Sequence, residues 1–160
     1  MGRKINSGLA LGVIGQSSFE NYELIKFLEQ QKERENNYNT KGPDFYVGPN
    51  GKIISANYKR WIGKSRRDSM LKKVKNKSLK NVVSQLYRPG AFIGDGGTAS
   101  VVLFERRTGL GLGKNGGTHE KKAKDMIKHI KNKVLTQILS NSDRKTANTL
   151  LKKLERSLVR

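Results

Sequence analysis

Apolar positions recur at helical spacing along much of the chain, interrupted by glycine-rich and polar segments. Ser17 and Glu20 fit a capping box, and Tyr22, Ile25, Leu28 and Glu29 behind them are spaced for a helix ending near Asn36-Asn37. Residues 42–51 hold two prolines and an Asn-Gly pair around Phe45-Tyr46-Val47. They predict turns about a short strand, with Lys52-Ile53-Ile54 as its hairpin partner. From Asp68 the pattern is helical again through Met70, Leu71 and Val74. Ser78 can cap a further helix carrying Leu79, Val82, Val83 and Leu86, which Arg88-Pro89-Gly90 stops.

Thr98 to Arg107 predicts a strand, because Val101 to Phe104 is a continuous apolar run of the kind found buried on both faces. Thr108 to Gly117, with five glycines, predicts a loop or tight hairpin. Thr118 is a candidate N-cap for a long helix with Ala123, Met126, Ile127, Ile130, Val134, Leu135 and Ile138 on one stripe. Ser142-Asp143 starts a last helix with Ala147, Leu150, Leu151, Leu154 and Leu158 as its apolar face. The expected class is α+β: a small antiparallel sheet packed with several helices, two of them C-terminal. Met1 to Gln16 is glycine-rich, and its broken apolar run predicts a linker rather than a signal peptide. The expected division is a leader with one helix at 1–42 and a basic domain at 43–160.

Charge sharpens this division. The chain has 33 Lys plus Arg against 13 Asp plus Glu, a net charge of +20. Residues 1–50 carry six bases and six acids, so the whole excess lies beyond them. The densest run, Lys59 to Lys80, has ten bases and one acid, Asp68. Such a domain attracts polyanions, nucleic acid first, then an anionic membrane surface or an acidic protein. Tyr58 and Trp61 interleave with Lys59, Arg60 and Lys64, where aromatics either stack on bases or pack internally. No stretch approaches the roughly 20 apolar residues of a membrane span. With no cysteine and two histidines, thiolate metal sites are excluded and a multi-histidine centre is not expected.

Candidate chemistry concentrates in two glycine-rich segments, 94–98 and 109–119. Glycines let a backbone approach a phosphate and aim N–H groups at it. A Walker A loop fails, because Thr108 stands where its first glycine belongs and Asn115 where its hydroxyl belongs. A dinucleotide fingerprint fails on spacing. His119, at the start of the long helix beside Lys114, Lys121 and Lys122, is either a helix-start residue bonding nearby backbone or a general acid–base. Glu105, amid Arg106 and Arg107, is either an ion-pair partner or a catalytic carboxylate. His129, ten residues past His119, is expected at the surface or its boundary. RNA supplies its own nucleophile, the 2′-OH, so cleavage without metal needs a base, an acid and groups for the charge on phosphorus. His119, Thr98, Glu105 and nearby cations could supply that set.

Leu86-Tyr87-Arg88-Pro89-Gly90, Gly94-Asp95-Gly96-Gly97-Thr98-Ala99, Glu105, Thr108-Gly109 and His119 with Lys122-Ala123 together resemble a toxin module. Such modules end bacterial polymorphic toxins of the contact-dependent growth-inhibition and Rhs types. The segment 43–51 resembles the lead-in common before them, so the resemblance spans about 43–160. It implies a small α+β nuclease, a metal-independent ribonuclease cutting RNA, often tRNA. It also implies delivery by a larger secreted or cell-surface parent, action in the target-cell cytoplasm, and a cognate acidic immunity protein. Carried over by position, the catalytic candidates are Asp95, Thr98, Glu105, His119 and Lys122. The candidate nucleic-acid contacts are Lys64, Arg66, Arg67, Arg88, Arg106, Arg107, Lys114 and Lys121. No cofactor and no metal site is expected. Two positions depart from the family pattern: Ser100 replaces an Asp and Leu103 an Arg. They leave open another substrate or a silent copy. A non-catalytic nucleic-acid-binding protein and a DNase toxin are the alternative functions.

Overall fold

The computed structural model describes residues 12–13, 45–47, 53–55, 62–91 and 93–159. The helix expected over 17–36, and Tyr58 and Trp61, lie outside these. Among the described residues the fold is α-rich. Its helices are α1 (Ile62–Lys73), α2 (Lys77–Leu86), α3 (Thr98–Thr108), α4 (Glu120–His129) and α5 (Asn141–Ser157). Strand pairing is confined to short pieces. β1 (Gly12–Val13) pairs antiparallel with β4 (Leu110–Gly111), and β2 (Phe45–Val47) with β3 (Ile53–Ser55). The second ladder is the expected hairpin pairing, with Tyr46 opposite Ile54 in register and its second strand one residue past the expected 52–54. A sheet on which the helices pack is not among the described residues. The expected small antiparallel sheet is thus reduced to two ladders.

The largest departure is α3, where a strand was expected over Thr98–Arg107. An apolar run of four cannot by itself distinguish a buried strand from a buried helix. The ends decide. Gly97 is extended at the N-cap, and Gly109 takes the left-handed conformation (φ 76°) that closes a helix, its N–H donating to the Glu105 carbonyl. α3 contacts both α4 and α5. Val102 and Phe104 are fully buried on it, which explains why apolar residues occupy successive positions.

The other helices follow their patterns with shifted ends. α1 begins at Ile62, six residues before the expected Asp68. Its Gly63 amide donates to the Ala91 carbonyl and its Lys64 amide to Pro89, so the Arg88–Ala91 turn receives the helix start. A Cβ at Gly63 would lie 2.0 Å from the Arg88 carbonyl oxygen, so only glycine fits there. α2 is capped by Asn76, not Ser78, with the Asn76 side chain accepting from the Leu79 amide at 2.9 Å. The Asn76 carboxamide fits that cap because the chain at residue 76 is already extended (φ −68°, ψ 130°). α4 continues into a π-helical turn over Ile130–Val134. The stripe ends there, and Ile138 is fully exposed, against the expectation that it shares the apolar face. α5 is capped by Ser140, two residues before the expected start, with its hydroxyl accepting from the Asp143 amide. The buried Asp143 carboxylate accepts the amides of Lys75 and Asn76, locking the α1–α2 joint onto α5. Val82, Val83, Leu86, Ala123, Ile130 and Leu150 meet in the core that these helices enclose.

Candidate functional site

Glu105 lies one turn from the end of α3 and is 1% exposed. A carboxylate this deep needs donors, and it has three. Oε1 accepts the His119 backbone N–H at 2.8 Å, Oε2 accepts the Leu112 N–H at 2.8 Å, and Oε2 faces His119 Nδ1 at 3.1 Å. The chain between these residues explains how they meet. It leaves α3 through Gly109, forms β4, turns at Lys114-Asn115-Gly116-Gly117, and returns to the head of α4. The turn has φ of 57° at Asn115 and 77° at Gly116, and the Gly117 N–H donates to the Lys114 carbonyl. This is the primed turn that Asn-Gly favours. A Cβ on Gly111 would lie 2.0 Å from the Gly116 carbonyl oxygen. That glycine therefore lets the loop close tightly on itself.

The dyad has a defined polarity. Against an ionised carboxylate, which only accepts, His119 Nδ1 is the donor, and in the neutral ring Nε2 then holds the lone pair. The His119 side chain is 22% exposed, so the ring reaches solvent while its Nδ1 edge is held from below. His119 itself occupies the N-cap position of α4, where Thr118 was expected. Its ring makes no cap hydrogen bond, leaving Glu105 to receive its amide.

Lys122 lies one turn further along α4, half-buried, with Nζ donating to the Gln85 carbonyl at 2.7 Å. Burial first, and the charge of Arg88 second, hold its pKa below the usual lysine value. Arg88 is exposed just beyond the end of α2.

Asp95 and Thr98 occupy a different neighbourhood. The Thr98 hydroxyl is buried and donates to the Leu86 carbonyl at 3.3 Å. Seven residues of helix separate Thr98 from Glu105, about 10 Å of rise. Asp95 Oδ1 accepts the Gly97 N–H at 2.9 Å and the Ser100 hydroxyl at 2.8 Å. Its Oδ2 accepts the Tyr87 hydroxyl at 3.3 Å and Lys153 Nζ at 3.1 Å. Burial pushes the Asp95 pKa up, but Ser100, Gly97 and Lys153 together outweigh it and hold the pKa below the ordinary value. The Tyr87 pKa is raised, by burial first and then by the Asp95 charge, with Arg66 pulling the other way. A shallow, solvent-open hollow lies here, lined by Leu86, Tyr87, Thr98, Leu150, Lys153 and Leu154, and not by Glu105 or His119.

The basic candidates divide. Arg106 donates to the carbonyls of Ser157 and Val159, closing the end of α5. Lys64 pairs with Asp68 and Lys121 with Asp125, each one turn along its helix. Arg67 is half-buried, and its Nε is enclosed without a hydrogen-bond partner among the described residues. Arg66, Arg107 and Lys114 are exposed, as is His129. Sequence reasoning did not single out Ser100, Lys153 or the Tyr87 hydroxyl as partners of Asp95. Lys153 lies 58 residues away on α5, with no local signal to mark it. Among the described residues no three His, Cys, Asp or Glu side chains converge, and no helix is long and apolar enough to cross a membrane. Compared with family models, curated proteins and solved structures, the chain matches none.

Proposed function

We propose that this chain is a toxin ribonuclease that cleaves RNA, tRNA among its candidate substrates, by attack of the 2′-OH without a metal ion. The observation that carries this reading is the Glu105–His119 dyad, a buried carboxylate fixing one ring nitrogen of a solvent-reaching imidazole. His119 Nε2 takes the 2′-OH proton as the 2′ oxygen bonds to phosphorus. The bond from phosphorus to the 5′ oxygen breaks, and that oxygen takes a proton, leaving a 2′,3′-cyclic phosphate. Lys122 supplies positive charge beside the phosphate, and its lowered pKa suits it to give up a proton to the leaving oxygen. Asp95 and Thr98 serve by holding the loop and the head of α3 that carries Glu105.

The net charge of +20 and the resemblance at residues 86–123 support the same reading. Under it the fold is the small α+β one that the resemblance implies, with a small antiparallel sheet. As a toxin the chain would be delivered by a larger parent, act in the target-cell cytoplasm and be silenced in its producer by an acidic immunity protein. The test is an oligoribonucleotide beside the same oligomer with a 2′-deoxy sugar at the cut site. Cleavage of the first alone, leaving a 2′,3′-cyclic phosphate, is expected. Equal cleavage of both would rule out 2′-OH attack and favour a DNase-type activity.

A further inference from the structure

Lys122 differs from the adjoining Lys121 and Lys124 of α4 in how its charge is met. Lys64, Lys121, Lys124, Lys131 and Lys153 each have a carboxylate oxygen within 2.8–3.5 Å. The Lys122 ammonium, though half-buried, meets none among the described residues, and its partner is the neutral Gln85 carbonyl. The Gln85 contact sets the Lys122 ammonium at the end of α2, and three residues beyond Gln85 stands Arg88, an exposed second cation. A half-buried ammonium with no counter-charge is unfavourable, and an anion beside it removes that cost. The donors for one are present. One Lys122 N–H is used by Gln85 and two remain, while the Arg88 guanidinium offers the planar fork that matches phosphate oxygens. Lys122 lies three residues from His119, one helical turn along α4.

We propose that Arg88 and Lys122 form a phosphate-binding pair that holds the phosphodiester group beside the atom on which His119 acts. Naming the ligand as substrate rests on the ribonuclease reading, whereas the pair itself rests on the placement of these two cations. It assigns the Arg88-Pro89-Gly90 turn a purpose, since the turn is anchored by the α1 amides and sets Arg88 at a fixed place.

The pair is tested by titrating inorganic phosphate into the intact protein at constant ionic strength and following backbone amide shifts by NMR. A saturable change centred on Arg88, Lys122 and His119 is expected. Its Kd should rise at least roughly tenfold in Arg88→Ala and in Lys122→Met, and stay unchanged in Lys128→Ala on the exposed side of α4. Lys122→Met keeps the aliphatic stem that packs. Should it fail to fold, the exposed Arg88→Ala decides alone. Shifts spread evenly over surface lysines, or an unchanged Kd in Arg88→Ala, would overturn the pair. Turnover plays no part in this readout. A specific phosphate site in a protein inactive on RNA would leave the pair standing and remove the ribonuclease reading. Cleavage that depends on His119, with no such site, would do the reverse.

Discussion

Glu105 is buried with three N–H groups aimed at it, so its charge and its shape both matter. Glu105→Gln keeps the shape but turns one carboxylate oxygen into an NH2 group facing donors. Leaving buried groups unpaired costs about 1–3 kcal/mol. The His119 ring also loses the acceptor that fixes its tautomer. RNA cleavage should therefore fall by ~10²–10⁴-fold while the protein stays folded. A single-turnover rate and a urea melt on one preparation check both parts. Full activity in Glu105→Gln would show that the carboxylate is a structural anchor only.

Asp95 makes a separate prediction in pH. Its folded pKa lies below the unfolded value, so it adds stability above pH ~4 that is lost as pH falls through the folded value. The stability gap between wild type and Asp95→Asn should be full at pH 6 and narrow below pH 4, as read from urea midpoints. A gap that does not change with pH would contradict the ionised cluster. Both acids and His119 were legible in the sequence as candidates. Their partners were not, because the Leu112 amide and Lys153 reach them through backbone and tertiary paths that leave no local pattern.

At the scale of elements, the amphipathic helices α2 and α5 and most of the α4 stripe were legible, since each shows one apolar face to a common core. α3 was not, because it packs on two sides and lacks a polar face over Val101–Phe104. The turns at either end held the missing signal: Gly97 before Thr98, and Gly109 after Thr108. The helix start at Ile62 depends on tertiary contact as well. Gly63 lies against Arg88 and Ala91, and a Cβ on Gly96 would meet the Gly63 Cα at 2.6 Å. Gly63→Ala should destabilise by about 1–3 kcal/mol through overpacking. Gly117→Ala, whose Cβ would have 3.3 Å to the Lys114 oxygen, should cost less. Denaturant unfolding ranks the two, and an equal effect would mean that the Gly63–Arg88 approach is not tight in solution. Ser140→Ala should remove the α5 cap at about 1 kcal/mol in the same assay.

At the scale of the molecule, the charge of +20 is legible from composition alone, and under the proposed reading it is what draws RNA to the surface. Binding to RNA should weaken steeply as salt rises, and His119→Ala should bind with an unchanged salt slope, because affinity comes from phosphate contacts spread over the basic surface. Filter binding between 50 and 200 mM salt, as an order-of-magnitude range, measures the slope. An affinity insensitive to salt would point away from nucleic acid. Binding alone does not distinguish an enzyme from a passive basic protein, and the Glu105–His119 geometry is where the two accounts part. The most direct measurement is incubation of the purified protein with total RNA in EDTA, beside His119→Ala, with the products resolved on a gel. Discrete fragments from the wild type and intact RNA from His119→Ala are the predicted result. Intact RNA from both, with a salt-sensitive shift in mobility, would contradict the dyad's catalytic role and leave a nucleic-acid-binding protein.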